Sequence, residues 1–217
     1  AVGIFRGADD SYGNYKGDGY AATARVTGLP YKNDDGSQLL HLGVGYSHRD
    51  DDTASYKFSS DHAMAPSTKY KISDVDDTSL LGLEAALKLN SFSLQSEWIE
   101  ADVDAATGGD LDGYYVQASY VLTGESRSYD TASGVFKGVS PGTKFLDNGG
   151  LGAWEATLRW SNLDYTDLNG GGEAESWTVG LNWYLNKNVR ALFNYTDVDL
   201  DSGEDGSVFG TRFQIAF

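Results

Sequence analysis

Through most of the chain, apolar and polar residues take turns at every second position, in stretches of about ten residues. In 175–185, Trp177, Val179, Leu181 and Trp183 share one face, while Thr178, Gly180, Asn182 and Tyr184 share the other. In 188–197, Val189, Ala191, Phe193 and Tyr195 oppose Arg190, Leu192, Asn194 and Thr196. A period of two is the period of a strand, because successive Cβ atoms point to opposite faces. The pattern predicts ten strands: 1–7, 18–28, 38–48, 77–89, 92–102, 113–122, 151–162, 175–185, 188–197 and 208–217.

The connections differ in length. If the strands run up and down, the short turns 29–37, 90–91 and 186–187 fall at one end, here called lower. The long acidic segments 8–17, 49–76, 103–112, 163–174 and 198–207 fall at the upper end, and are read as loops from their Asp, Gly, Ser and Asn content. One connection breaks the rule: 123–150 is long and lower. Short turns at one end and long polar loops at the other are the asymmetry of a transmembrane β-barrel. The first and last strands would run antiparallel and meet. A sheet in lipid has to close in this way, because lipid offers its backbone no hydrogen bonds.

Which face is inside decides the class. Aromatic residues stand near both ends of the apolar faces: Trp154 and Trp160, Trp177 and Trp183, Tyr114 and Tyr120. Interfacial girdles place aromatics there. The polar faces mix single charges with Gly, Ser, Thr and Gln, as a watery lumen would. The expected fold is all-β, a transmembrane antiparallel up-and-down β-barrel of about ten strands, with its apolar face outward. The competing reading is a soluble β-sandwich, which alternates with its apolar side inward.

Composition narrows the function. The 217 residues suit a single domain. There is no cysteine, so thiol chemistry and disulfides are excluded. No apolar run reaches the length of a membrane-spanning helix. With 16 basic residues against 32 acidic ones, the chain offers no phosphate-binding face for nucleic acid. Ala1 opens directly into a strand-like stretch, so either a leader was removed or the chain begins inside a longer protein.

Several stretches carry a family resemblance: YAATARVTGLPY (20–31), LLHLGVGYSHRD (39–50), LLGLEAAL (80–87), LDGYYVQASYVLTGESRSYD (111–130), GAWEATLRWSNLD (152–164) and WTVGLNWYLNKNVRALFNYTDVD (177–199). In these the chain resembles the phosphate-selective porins of the O/P type from Gram-negative outer membranes. The resemblance implies an outer-membrane channel for small anions such as phosphate. It implies homotrimers, contact with lipid and lipopolysaccharide, and no cofactor. Members of that family are about twice as long, with sixteen-strand barrels, so residues 1–217 match the C-terminal part. The terminal strand, with Phe213, Ile215 and Phe217, resembles the signal read by the barrel-assembly machinery.

The expected lumen faces carry Arg25, Lys88, Arg159, Arg190 and Arg212, with His41 as an addition, against Glu84, Glu97 and Glu155. Two readings of the arginines stand side by side. They attract anions and grip oxyanions with paired hydrogen bonds, or they pair with the lumen glutamates and brace the barrel. An alternative function is a non-specific or structural barrel whose side chains fill the lumen. Segment 49–76, with Arg49, Lys57, His62, Lys69 and Lys71, either folds inward or stays outside as a mobile loop. Asp197, Asp199 and Asp201 resemble the start of a calcium loop, but Val208 stands where its closing Glu belongs, so no metal site is expected. His41, His48 and His62 have no serine placed against them as a nucleophile, and no enzymatic activity is expected.

Overall fold

The computed structural model describes residues 1–6, 19–50, 53–59, 67–201, 203 and 205–216. Phe217, His62 and the acidic segment 7–18 lie outside the described residues. So do the side chains of Lys57 and Lys69.

Among the described residues every regular element is a strand. They are β1 (Val2–Arg6), β2 (Tyr20–Lys32), β3 (Gln38–Arg49), β4 (Thr53–Ser59), β5 (Ser67–Ser73), β6 (Val75–Leu89) and β7 (Phe92–Ala105). These continue as β8 (Gly109–Val121), β9 (Tyr129–Asp130), β10 (Val135–Phe136), β11 (Ala153–Asp164), β12 (Glu173–Tyr184), β13 (Val189–Leu200) and β14 (Gly206–Ile215). Ten of them form one antiparallel sheet in the order β1-β2-β3-β6-β7-β8-β11-β12-β13-β14. All ten strands read from the alternation are present. β4 pairs with β5 and β9 with β10 as separate two-stranded hairpins. The expected ring is not closed: β1 and β14 are the two edges of the sheet, and neither pairs with the other. Counting turns fixes the direction of an edge strand but not what it pairs with.

The burial pattern is inverted relative to a soluble sheet. On the outer face Leu42, Val44, Leu83, Val116, Leu158, Val179 and Phe213 are exposed. The opposite face buries His41, Lys88, Ser93, Ser119, Glu155, Thr178 and Thr196. Hydroxyls on this concave face satisfy one another across strands, Ser93 with Ser119 at 2.7 Å and Thr178 with Thr196 at 3.0 Å. Exposed aliphatic side chains over buried hydroxyls are the pattern a transmembrane β-barrel presents.

The strands also run further up than the alternation suggested. Segments read as acidic loops continue β7, β8, β12 and β13, with the polarity reversed. There Ala101, Val103, Leu111, Ala174, Val198 and Leu200 point inward and are buried. Glu100, Asp102, Asp112, Glu175, Asp197 and Asp199 take the alternate positions on the outer face. Tyr165 and Leu168 of the 163–174 segment and Ile72 of the β5 end join the same apolar cluster. Just below this zone, Trp98 donates its indole N–H to Asp112 at 3.2 Å, and Trp177 donates to Glu175 at 2.9 Å. Each ring lies on the apolar side and its N–H on the wet side, as an amphipathic aromatic at a boundary does. Segment 49–76, expected as a loop, contains the β4–β5 hairpin.

Candidate functional site

The concave face gathers the charged residues named from the sequence, and register decides which of them meet. Arg25 on β2 and Glu84 on β6 are two strands apart, with β3 between them. The strand residue opposite Glu84 on β3 is Gly43. A Cβ at Gly43 would collide with the Glu84 carboxylate. Its absence lets Glu84 lie across β3 and grip Arg25 through Nε and Nη2, both at 2.8 Å. This is a bidentate, charge-assisted pair. His41, 3 % exposed on β3, places Nε2 3.6 Å from the same carboxylate.

The other walls are arranged differently. Glu97 accepts a hydrogen bond from the Tyr115 hydroxyl at 2.7 Å. Arg159 donates to Gln117 at 3.3 Å and lies 3.7 Å over the Tyr115 ring. Arg190 donates from Nε and Nη2 to the single amide oxygen of Gln214, at 3.0 and 2.8 Å. Arg212 is exposed on β14, at the diagonal position next to Arg190. Among the described residues neither Arg190 nor Arg212 meets a carboxylate. Glu155 is almost fully buried and accepts from Asn182 at 3.0 Å and Tyr184 at 2.7 Å. Arg159 and Glu155, which share a strand face, therefore turn to different partners. Lys88 is buried at the lower end, where it feels Asp35 and Lys32 of the turn below.

The residues that sequence reading missed lie on the 123–150 connection. This segment does not hang below the sheet. Its β9–β10 hairpin crosses the concave face as an inner strap. At its base Arg127 stands 3.8 Å from Glu155 and 4.9 Å from the Phe136 ring centroid. Further along, the Tyr129 hydroxyl is hydrogen-bonded to His41 Nδ1. At the tip, the Ser133 carbonyl accepts from Arg25 Nη1 at 3.2 Å. Gly134 turns with φ +67°, a conformation that side-chain-bearing residues rarely adopt, and a Cβ there would press on the Thr27 hydroxyl. A Lys137–Asp130 ion pair at 3.0 Å clips the two arms together. Lys137, the backbone N–H of Ala132 and the side chain of Ser133 hold the Asp130 carboxyl down to about 2. Val139 anchors the return arm between Val121, Ala153 and Tyr184. Between strap and wall lies a cavity of ≈ 200 Å³, lined by Arg25, His41, Glu84, Glu97, Arg127 and Tyr129 among others. The one sequence signal for the strap was the length of 123–150 at the end where every other turn is short.

Of the residues expected in the terminal assembly signal, Phe213 and Ile215 stand exposed on the outer face of β14. Among the described residues no group of acids or histidines has the geometry to hold a metal ion.

The sequence that builds this sheet is similar to those of known proteins. The chain is 30% identical over 226 residues to Porin O of Pseudomonas aeruginosa, covering 82% of this chain and 49% of that protein. It is 32% identical over 124 residues to an uncharacterized protein of Caulobacter vibrioides, covering 54% of this chain and 24% of that protein. The chain thus spans about half the length of Porin O, or less of the second relative. The profile of the family described as "Phosphate-selective porin O and P" matches residues 1–217 from end to end, and the chain belongs to that family of Gram-negative outer-membrane porins.

Proposed function

We propose that this chain forms one side of a passive, water-filled channel through the outer membrane that favours small anions, with phosphate as the representative solute. The observation that carries this reading is the pair Arg190 and Arg212. Two permanently charged guanidiniums stand diagonally across β13 and β14 on the concave face, with no carboxylate against either among the described residues. Arginine keeps its charge at any relevant pH and presents paired donors to an oxyanion. Several weak contacts of this kind admit an anion without trapping it. Lys88 lies on the same face, where Glu97 accepts from Tyr115 and Glu155 accepts from Asn182 and Tyr184 and stands 3.8 Å from Arg127.

Arg25 supports a second role. Its charge is spent on Glu84, so at that wall the bracing reading is favoured and the pair holds β2 to β6. The outer face, with its exposed aliphatic band, is proposed to meet lipid, and the acidic upper rim to meet lipopolysaccharide. The open edges of β1 and β14 and the length of Porin O support a larger barrel to which this chain contributes ten strands. The β14 end, with Phe213, Ile215 and Phe217, is proposed as the segment read by the assembly machinery. Homotrimers are proposed on the family likeness alone.

The test uses the whole protein in planar bilayers under a potassium chloride gradient. The zero-current potential is expected on the anion-selective side, and added phosphate is expected to reduce the chloride current. A cation-selective potential, with no effect of phosphate, would remove this reading.

A further inference from the structure

The last part of the 123–150 connection leaves the concave face and wraps around the lower rim to the outer surface. It is fastened there at three points. The Phe145 N–H donates to the Leu185 carbonyl at 2.8 Å. The Phe145 ring meets Trp183 edge-on at 4.8 Å, and Trp183 stacks on Trp154 at 5.1 Å with 11° between the planes. The Trp183 indole N–H donates to the Leu151 carbonyl at 2.8 Å. Within the turn, Leu146 N–H donates to Gly150 and Gly150 N–H donates to Asp147, at 2.9 and 2.8 Å. Leu146 holds φ +65°, a region that side-chain-bearing residues seldom occupy. The consequence is that Leu146 is 78 % exposed and Leu151 69 % exposed.

A turn fastened this firmly, yet presenting two leucines to the outside, is shaped for a surface. We propose that the 143–151 turn is a lipid anchor that seats in the phospholipid surface at the lower rim of the barrel. The proposal rests on the membrane reading of the outer face given above. Three features select lipid as the occupant. The leucines continue, through Leu122, the exposed aliphatic band of Leu158, Val179 and Leu181. The stacked Trp154 and Trp183 mark the depth where amphipathic rings settle at an apolar–polar boundary. Lys144, exposed in the same turn, brings an ammonium to the level of anionic headgroup phosphates. Asp147 and Asn148 are exposed beside it and stay among the headgroups.

These 217 residues contain no cysteine, and any cysteine elsewhere in the polypeptide is first replaced by serine so that each label is single. Leu146→Cys, Leu151→Cys, Val179→Cys and Asp34→Cys are made in the complete polypeptide. Each is labelled with an environment-sensitive fluorophore and reconstituted into phosphatidylethanolamine/phosphatidylglycerol vesicles. Matched vesicles carry bromine at shallow or deep acyl positions. The anchor predicts blue-shifted emission at 146 and 151 that shallow bromine quenches. Position 179 should be quenched by deep bromine, and position 34 by neither. Water-like emission at 146 and 151, with 179 quenched, overturns the anchor and leaves the membrane reading intact. Blue-shifted emission at 146 and 151 that bromine does not quench, with 179 quenched, places a second copy against the turn and also overturns the anchor. If 179 is not quenched, the membrane reading fails and the anchor falls with it.

Discussion

The Glu84 carboxylate passes over Gly43 to hold Arg25 by two 2.8 Å hydrogen bonds, joining β6 to β2 across the strand between them. The pair exists because one position on β3 has no side chain. Gly43→Val is expected to push Glu84 off Arg25. Glu84→Gln, which removes the negative charge and leaves the guanidinium, should move the zero-current potential toward anions, whereas Gly43→Val separates the pair at unchanged net charge and should act mainly on stability. Breaking a charge-assisted bond should cost about 1.5–3 kcal/mol of stability. An unchanged potential in Glu84→Gln would show that this wall does not face permeating ions.

The inner strap crosses the concave face between Glu155 and Arg25. Removing residues 129–136 is expected to raise single-channel conductance, because it clears the Tyr129 and Phe136 rings from that face. Tyr129→Phe is milder. It removes only the hydrogen bond to His41, worth about 1 kcal/mol, and should increase conductance noise without changing selectivity. Equal conductance in the deletion and the parent would place the strap outside the ion path.

Asp130 on the strap is held at about 2, chiefly by Lys137, the Ala132 backbone and the Ser133 side chain. A lowered carboxylate stabilises the strap above the ordinary range near 3.8 and loses that contribution as pH falls through about 2. The strap should therefore stay latched at pH 4. Lys137→Met removes the largest cause and should move release upward toward the ordinary range. The readout is conductance against pH, and identical profiles for parent and variant would contradict the latch.

At the upper rim, Asp199 is raised above its ordinary value by Asp205, which also shares a hydrogen bond with it. The sign is opposite to that of Asp130. The repulsion is absent below the ordinary carboxylate range and fully present once Asp199 ionises in the folded state. Asp205→Asn should thus protect the β13–β14 turn from protease at neutral pH and make no difference in strong acid. Just below, the apolar cluster holds Leu168 at 2 % exposure. Leu168→Ala should weaken that cluster by about 2–5 kcal/mol, visible as faster cleavage in 163–174 with the barrel itself intact.

The ten strands were legible because a period of two is independent of which face is apolar. Their upper ends were not. Asp199 reads as a loop residue, yet Val198 and Leu200 on either side of it keep the alternation going with its sense reversed. Acids mark water, and water can lie outside a strand as readily as around a loop. The charged wall was legible residue by residue, since Arg25 and Glu84 fall on the same face. That they meet depends on β3 lying between them and on Gly43 being the residue crossed. The strap was illegible because it is made by distant contacts. Tyr129 and His41 are 88 residues apart, and no local pattern encodes their meeting. Ring closure failed as an expectation for a related reason, since alternation within β1 and β14 says nothing about their partners.

The guanidiniums on the β13–β14 wall are proposed to set the preference for anions. This is tested most directly by the double variant Arg190→Glu and Arg212→Glu in the whole protein, measured as zero-current potential in planar bilayers under a potassium chloride gradient. A shift from anion toward cation preference is expected, larger than for either single variant. A potential identical to the parent, at equal channel insertion, would contradict it.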